Sequence, residues 1–296
     1  TKRNIADVKR TCRTSFAVPI LKKIAHQFSL DGDVKLKDPD ETIRLQGSQN
    51  LNMYGQTYVS MSNYFDSPYS HHLPENDREE LRRALRSGID HVVTRATPPQ
   101  QLEEIAESCL EDYNNGLPVV IPTGWQGHAI NVVLDGDHLI ITNKGDRYAN
   151  AAPIRVFQID RQKMSKEIIM QILQEKAPPP TIPNRPNITI DEWRKEYLFF
   201  DKLPELLGAK NVINGPFAIL EAKDQKAGNC SFANNKQALR VLLFTRRLRV
   251  NNGDIHEAEE WARKEYKTWS LHDRVQGVNE FLLLIDTMGE GHYNKG

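Results

Sequence analysis

The stretch GHAINVVLDGDHLIITNKGD, residues 127–146, decides the fold of this chain. Two runs rich in β-branched residues, 129–134 and 138–142, flank the dipeptide Asp135-Gly136. Asp-Gly between two such runs is a strong signal for a β-hairpin, because glycine readily adopts the backbone angles of a tight turn. The stretch therefore predicts two antiparallel strands.

The predicted hairpin brings two polar residues together at one end. A turn centred on Asp135-Gly136 pairs residues whose numbers add to about 271, so His128 is expected opposite Asn143. An amide oxygen or a carboxylate against one imidazole nitrogen fixes the tautomer, and the other nitrogen can then take a proton from a thiol. Register favours Asn143 for this role. Asp146 is the alternative, because a slip of two or three residues would bring its carboxylate to the ring.

Helical periodicity surrounds the hairpin. It predicts one helix over 78–93 and a second after Pro98-Pro99, whose apolar face places Cys109 in the core. A strand over 154–157 and a helix over 163–176 follow. The second half of the chain is predicted to be mainly helical, with a helix over 190–207, a short strand over 217–221, a long helix from Cys230 to Leu248, and two helices over 256–267 and 273–286.

These elements predict an α+β fold in which a small antiparallel sheet packs against a mainly helical lobe. Residues 1–95 form an N-terminal region of uncertain fold, and 96–176 form a β-rich lobe with the hairpin. The proline-rich segment 177–188 is predicted to cross between lobes. Residues 189–296 form the helical lobe.

A reactive cysteine is predicted at the start of the long helix. The motif DQKAGNCSFA, residues 224–233, puts Cys230 in the first helical turn. A thiol there lies beside unsatisfied N–H groups, which favour the thiolate and lower its pKa. Gln225 supplies an amide N–H that could face an oxyanion. The alternative is a helix-capping loop with a buried, inert cysteine.

Composition excludes several classes of protein. Lys+Arg and Asp+Glu both total 39, so no net positive charge is present to gather nucleic acid. The longest apolar runs, such as 281–285, are far too short to span a membrane. The three cysteines, Cys12, Cys109 and Cys230, are odd in number and widely spaced, which favours a reducing compartment.

Neither a cofactor nor a metal is predicted. No glycine-rich phosphate loop follows a strand. Cys230 and His128 could ligate zinc, but neither has a second Cys or His two to four residues away. The chain begins at Thr1, without a charged-then-apolar leader, and we expect a fragment with no cleaved signal peptide.

Two of these motifs resemble the papain-like cysteine peptidases. QKAGNCSFA, residues 225–233, resembles their cysteine motif, and residues 127–143 resemble their His-Ala strand, turn and strand ending in the orienting Asn. The resemblance implies a two-lobed papain-like fold. It also assigns roles: nucleophile for Cys230, general base and then acid for His128, orienter for Asn143, and oxyanion donors for Gln225 and the Cys230 backbone N–H.

The chain departs from papain in two respects. The gap from Gln225 to Cys230 is one residue shorter, and the order His, Asn, Cys makes the chain a permuted relative. That order also resembles the adenain and ubiquitin-like-protease clan, which would favour Asp146 as the orienter. The phrases PTGWQGHAI, IITNKGD and QKAGNCSFAN are similar to the cysteine-protease-like domains of ankyrin-repeat effectors from intracellular bacteria.

These resemblances imply a cysteine-dependent hydrolase, a protease or a deubiquitinase-like isopeptidase. Its substrate would be a protein, either ubiquitin-like or from a host cell. An effector of this kind would be secreted into the host cytoplasm without a cleaved signal peptide. One alternative is a transglutaminase, deamidase or acetyltransferase that uses the same Cys–His pair. Another is an inert papain-like fold that serves as a protein-interaction module.

Overall fold

A computed structural model describes residues 20–28, 30, 33–35, 42–44, 51–94, 99–125, 128–144, 153–174, 198–210, 215–220 and 230–293. The chain divides into two compact units, a smaller one (1–48, 226–229 and 268–296) and a larger one (49–225 and 230–267). Both units draw on segments far apart in the sequence. The predicted proline-rich crossover, 177–188, lies outside the described residues, and the division into four consecutive segments stays a prediction.

Helices make up most of the described chain. They are α1 (20–28), α2 (Leu51–Asp66), α3 (Glu75–Thr94), α4 (Pro99–Asn114), α5 (Lys166–Gln174), α6 (Leu203–Leu206), α7 (Cys230–Val250) and α8 (Ile255–Tyr293). The strands are β1 (Asp33–Lys35), β2 (Thr42–Arg44), β3 (Val119–Trp125), β4 (His128–Asp135), β5 (His138–Thr142) and β6 (Ile154–Gln158). These elements confirm the predicted α+β class.

A four-stranded antiparallel sheet forms the centre of the larger unit. Its strands follow chain order, β3-β4-β5-β6, so each neighbouring pair is joined by a local connection. The predicted hairpin is β4 and β5, and it occupies the two central positions. Its side chains are therefore the most completely covered in the sheet, and β4 is buried along its whole length after His128.

The register of the hairpin differs from the predicted one. Asp135 pairs with His138 and Asn131 pairs with Thr142, so paired residue numbers add to 273 rather than 271. The turn residues are Gly136 and Asp137, and only Gly136 has a positive φ, of 61°. A glycine with positive φ at the first turn position is typical of a type II′ turn. Because the difference is two residues, each side chain keeps the predicted face of the sheet.

Both faces of the sheet are covered by helices. One face packs against α4, α5 and residues 198–207 in a continuous apolar core. The other face packs against α7 and α3, with α2 behind them. This double cover explains why the strands are nearly continuous apolar runs, whereas a sheet with one wet face would show alternation. The core of the apolar face includes Ile121, Ile130, Val132, Leu139, Ile141, Ile169, Ile172, Leu198 and Phe199.

The helices predicted around the hairpin are present. The predicted helix over 78–93 is α3, and the one after Pro98-Pro99 is α4. Cys109 is 2 % exposed on the apolar face of α4, as predicted. The helix predicted to begin near Cys230 is α7.

The sequence analysis left α2 unassigned because its apolar residues stand among Ser, Asn and Tyr. Tyr58, Met61 and Phe65 nevertheless follow helical spacing, and all three are fully buried. Their large side chains supply the apolar face that Leu and Val supply in other helices. A periodicity test that counts Tyr and Met as apolar predicts this helix.

Two predicted elements are wrong. The segment 217–221 was expected to be a strand, but Pro216–Ile219 forms a 3-10 helix. A proline at the first position favours a helical turn, because its fixed φ suits that position. The helices predicted over 256–267 and 273–286 are one helix, α8. Residues 268–272 contain neither Pro nor Gly, so nothing in this segment ends the helix.

Ion pairs anchor the C-terminal end of α7. Arg246 contacts Asp77 and Glu80 on α3, and its Nη1 lies 2.8 Å from Glu80 Oε2. Arg249 pairs with Glu80 and with Asp135 at the end of β4. Burial raises the pKa of Glu80, and the two guanidinium groups oppose that rise. The contacts tie α7 to both α3 and the sheet.

The smaller unit contains the β1–β2 pair, in which Asp33 lies opposite Arg44. Within this unit, α1 packs on the last part of α8. Lys23 Nζ lies 2.8 Å from Glu280 Oε2, and Gln27 Nε2 donates to the Asp273 carbonyl at 2.9 Å. In the described part of the chain, no helix is long and apolar enough to cross a membrane.

Gly124 in β3 is expected to be intolerant of a side chain. Its φ is +147°, and a Cβ built on it would lie 2.3 Å from the backbone oxygen of His128. Gly124→Ala should therefore lower the free energy of unfolding by about 2 kcal/mol or more. Urea denaturation measures this loss. Gly116→Ala is the matched control, because Gly116 also has a positive φ, +81°, but open space around its Cβ position. An equal loss in both variants would contradict the steric explanation.

Candidate active site

The structure brings His128 and Asn143 into contact. His128 is the first residue of β4, and Asn143 directly follows β5. In the observed register, paired residue numbers add to 273, so Asn143 is a diagonal rather than a direct neighbour of His128. Diagonal neighbours on one face are within reach of long side chains. The imidazole Nε2 lies 2.7 Å from Asn143 Oδ1.

This hydrogen bond identifies which ring nitrogen carries a hydrogen. An amide oxygen can only accept, so His128 Nε2 carries the hydrogen and donates it to Asn143. Nδ1 is then the ring nitrogen that can accept a proton. His128 is half-buried and Asn143 is 6 % exposed. An orienting amide this deeply covered has little freedom to release the ring.

Cys230 is the first residue of α7, as predicted from the sequence. Its side chain lies outside the described part of the structure. Gln225 and Asp146 also lie outside the described residues. Their predicted roles as oxyanion donor and rival orienter therefore stay predictions.

Helix α7 runs alongside β4 and in the same direction. Near the start of β4, Asn234 Nδ2 donates to the Ala129 carbonyl at 2.6 Å. At the far end, Arg249 pairs with Asp135. The helix rises about 22 Å between those residues, and the strand advances about 20 Å between its two contacts. Because Cys230 precedes Asn234 by about 6 Å of helical rise, the first turn of α7 extends past the start of β4.

The first turn of α7 and the His128 side chain approach the start of β4 from different faces of the sheet. Side chains alternate along a strand, and Asn131 and Thr142 lie on the face that α7 covers, where they bond Asn235 and Asn234. His128 and Asn143 belong to the side chains on the opposite face. A thiol on the first turn of α7 and the imidazole can therefore meet only beyond the strand end, where no sheet separates them.

Buried polar side chains join α7 to the sheet. Asn131, in the middle of β4, accepts from the Tyr58 hydroxyl at 2.5 Å and donates to Asn235 Oδ1 at 3.0 Å. Asn234 accepts from the Lys144 backbone N–H at 2.8 Å. Burial raises the pKa of Tyr58 well above its ordinary value, so the hydroxyl stays a donor.

The sequence analysis did not assign Asn131, Asn234 or Asn235 a role. A signal was present, since Asn131 interrupts the apolar run AINVVL, and Asn234 and Asn235 lie at helical spacing from the apolar residues Ala238 and Leu239. Asparagine at a position that periodicity buries is unusual and implies specific hydrogen bonds. The partners of those bonds could not be read from the sequence.

Cys109 contrasts with the predicted nucleophile. Burial, with smaller contributions from Asp112 and Asp90, raises the pKa of the Cys109 thiol to about 12. Its thiolate population at neutral pH is therefore negligible. Among the side chains that the structure describes, no group of three or more His, Cys, Asp or Glu could hold a metal ion. The absence of a cofactor stays a prediction.

The fold and this pair of residues define an α+β protein with a His–Asn pair at the end of its central hairpin. Comparison with models of protein families and with curated proteins gave no match. Solved structures with a similar fold include the Legionella effector AnkH, with a TM-score of 0.60 and 15 % identity. The alignment covers 94 % of this chain and 56 % of AnkH, so the chain spans little more than half the length of that protein. The papain-like relationship stays a prediction.

Native Cys109 should resist alkylation, because its thiolate is suppressed by burial. We expect no iodoacetamide adduct on the Cys109 peptide between about pH 6 and about pH 9, and full labelling after denaturation. Mass spectrometry of the two samples measures this. Ready labelling of the native protein would mean that α4 opens locally, and Cys109 could then not serve as an inert reference thiol.

Proposed function

We propose that this chain is a cysteine-dependent acyl-transfer enzyme that hydrolyses a bond in a protein substrate. Cys230 is the nucleophile, His128 the general base and acid, and Asn143 the orienter. The observation that carries the proposal is the hydrogen bond of 2.7 Å from His128 Nε2 to Asn143 Oδ1. It puts a hydrogen on Nε2, so Nδ1 is the nitrogen proposed to exchange a proton with the thiol, and the first turn of α7 extends to the same end of the sheet.

The reaction follows from these roles. The Cys230 thiol gives its proton to His128 Nδ1, and the thiolate attacks the substrate carbonyl to form a carbon–sulfur bond. The carbonyl oxygen becomes an oxyanion, which the Gln225 amide and the Cys230 backbone N–H stabilise. His128 returns the proton to the departing amine as the carbon–nitrogen bond breaks. Water, deprotonated by His128, then hydrolyses the thioester and regenerates the thiol.

The opposing faces of the sheet set a requirement for this mechanism. The Cys230 sulfur must reach His128 Nδ1 beyond the start of β4. A substrate carbonyl would approach the same place from solvent, so the scissile bond is proposed to lie along the strand end.

Transfer to another acceptor uses the same groups. A transglutaminase, deamidase or acetyltransferase would also form a thioester on the cysteine. A deamidase would differ in hydrolysing a side-chain amide, and the two transferases in passing the acyl group to an acceptor other than water. Hydrolysis is the simpler proposal, since water needs no second substrate site. The substrate is proposed to be a ubiquitin-like or host protein.

The biological setting is proposed from the structural neighbour. AnkH is named as a Legionella effector, and this chain shares its fold over 94 % of the chain. We propose that the protein is likewise an effector, delivered into a host cell and active in its cytoplasm. A reducing cytoplasm would keep a catalytic thiol available.

The first test is the pH dependence of Cys230 alkylation. If Cys230 and His128 form a thiolate–imidazolium pair, iodoacetamide should label the Cys230 peptide rapidly, with an apparent pKa well below the free-thiol value of about 8.5. His128→Ala should remove that advantage, since it removes the proton acceptor. Cys109 in the same sample reports whether the protein stays folded.

A slow rate that does not depend on His128 would contradict the proposal. It would mean that Cys230 is a structural thiol and would favour the protein-interaction module. In an assay of turnover, Cys230→Ala should abolish activity and leave the thermal midpoint within a few degrees.

The orienter is tested by a matched pair of variants. Asn143→Ala removes the acceptor of the observed hydrogen bond, so it should raise the apparent pKa of Cys230 alkylation toward that of His128→Ala. Asp146→Ala should have little effect. The reverse result would assign the orienting role to Asp146, and equal small effects would exclude the triad as proposed.

A further inference from the structure

Asn234 is a fully buried polar residue one helical turn after Cys230. Its side-chain amide makes two hydrogen bonds to the backbone of the sheet. Nδ2 donates to the Ala129 carbonyl at 2.6 Å, and Oδ1 accepts from the Lys144 N–H at 2.8 Å. Both the donor and the acceptor of the amide are therefore used.

The two backbone partners of Asn234 adjoin the residues of the candidate site. Ala129 directly follows His128 on β4, and Lys144 directly follows Asn143 after β5. The Asn234 side chain thus connects the start of β4, which carries His128, with the end of β5, which precedes Asn143. The Asn234 carbonyl also accepts from Thr142 Oγ1 at 3.3 Å, which fixes the helix backbone to the same place.

Residues four apart lie on the same face of a helix. Cys230 therefore occupies the helix face that carries Asn234, one turn closer to the end of the sheet. We infer that Asn234 is a positioning residue, which sets the distance of the Cys230 backbone from the His128–Asn143 pair. This inference rests on the proposed function, because the distance matters to chemistry only if Cys230 is the nucleophile.

The chemistry of the contact explains why the residue is asparagine. The strand ends present one carbonyl and one N–H, and an amide offers a matching donor and acceptor on two separate atoms of one short side chain. Aspartate could accept from Lys144 but could not donate to Ala129. Leucine would fill a similar space and would leave both backbone groups without their partner.

The neighbouring Asn235 provides a matched control. It is also fully buried on α7, and it accepts a hydrogen bond from the side chain of Asn131 in the middle of β4. A variant at Asn235 should destabilise the protein through a lost buried hydrogen bond. It should leave the backbone beside His128 and Asn143 in place. A purely structural role would give the two asparagines the same effect.

The experiment compares Asn234→Leu with Asn235→Leu in the full chain. The first readout is the pH profile of Cys230 alkylation. The second is the imidazole signal of His128 in nitrogen-edited NMR spectra, which reports the tautomer held by Asn143. Asn234→Ser and Asn235→Ser are a milder pair, for use if a leucine variant does not fold, and the thermal midpoint is measured for all four.

We expect Asn234→Leu to slow Cys230 alkylation at about pH 6 by about tenfold or more and to mix the His128 tautomers. Asn235→Leu should lower the thermal midpoint to a similar extent and keep both wild-type readouts. A folded Asn234 variant with the wild-type Cys230 profile and His128 signal would overturn the inference. So would equal changes in the Asn235 variant.

Failure of the proposed function gives a different pattern. The wild-type Cys230 would then alkylate as an ordinary thiol, with or without His128. The NMR signal of His128 is then the deciding measurement. A mixture of His128 tautomers in the Asn234 variants alone would support the inference that Asn234 positions the His128–Asn143 pair. An unchanged His128 signal would overturn that inference.

Discussion

A buried amide without hydrogen-bond partners costs free energy of folding, and this constraint fixes α7 on the central sheet. Asn234 and Asn235 are both fully buried, and their partners lie on β4 and just beyond β5. Any slide or rotation of α7 would break these bonds. The ion pairs of Arg246 and Arg249 hold the opposite end of the helix. Cys230 therefore begins a helix whose position along the sheet is determined at both ends.

Local signals explain which elements could be predicted. The hairpin, α3, α4 and the start of α7 follow from turn chemistry and periodicity, which depend on neighbouring residues. The His128–Asn143 contact was predicted despite a register error, because a shift of two residues keeps every side chain on its face. The role of Asn234 was not predicted, since its partners are 105 and 90 residues away and local pattern carries no information about them.

For this protein, a fold shared with another protein does not by itself imply a shared chemistry. At 15 % identity, the likeness to the Legionella effector AnkH describes the arrangement of helices and strands. One fold can support many functions, so the activity must be argued from the site. The proposed activity depends on one oriented imidazole and on α7, which begins at the same end of the sheet. For this activity, Cys230 must contact His128 around the end of the sheet.

The contact between α7 and the hairpin also determines how late during synthesis this part of the protein can fold. Ala129 and Asn234 are 105 residues apart, so a nascent chain completes β4 and β5 long before their partner helix exists. Contacts of this range form late, because a long loop must close first. Until then, Asn131 can have the Tyr58 hydroxyl as a partner but lacks its partner Asn235 on α7. The His128–Asn143 pair lies at the hairpin, whereas Asn234 belongs to the last quarter of the chain, so the helix can dock beside this pair only after that quarter has been synthesised.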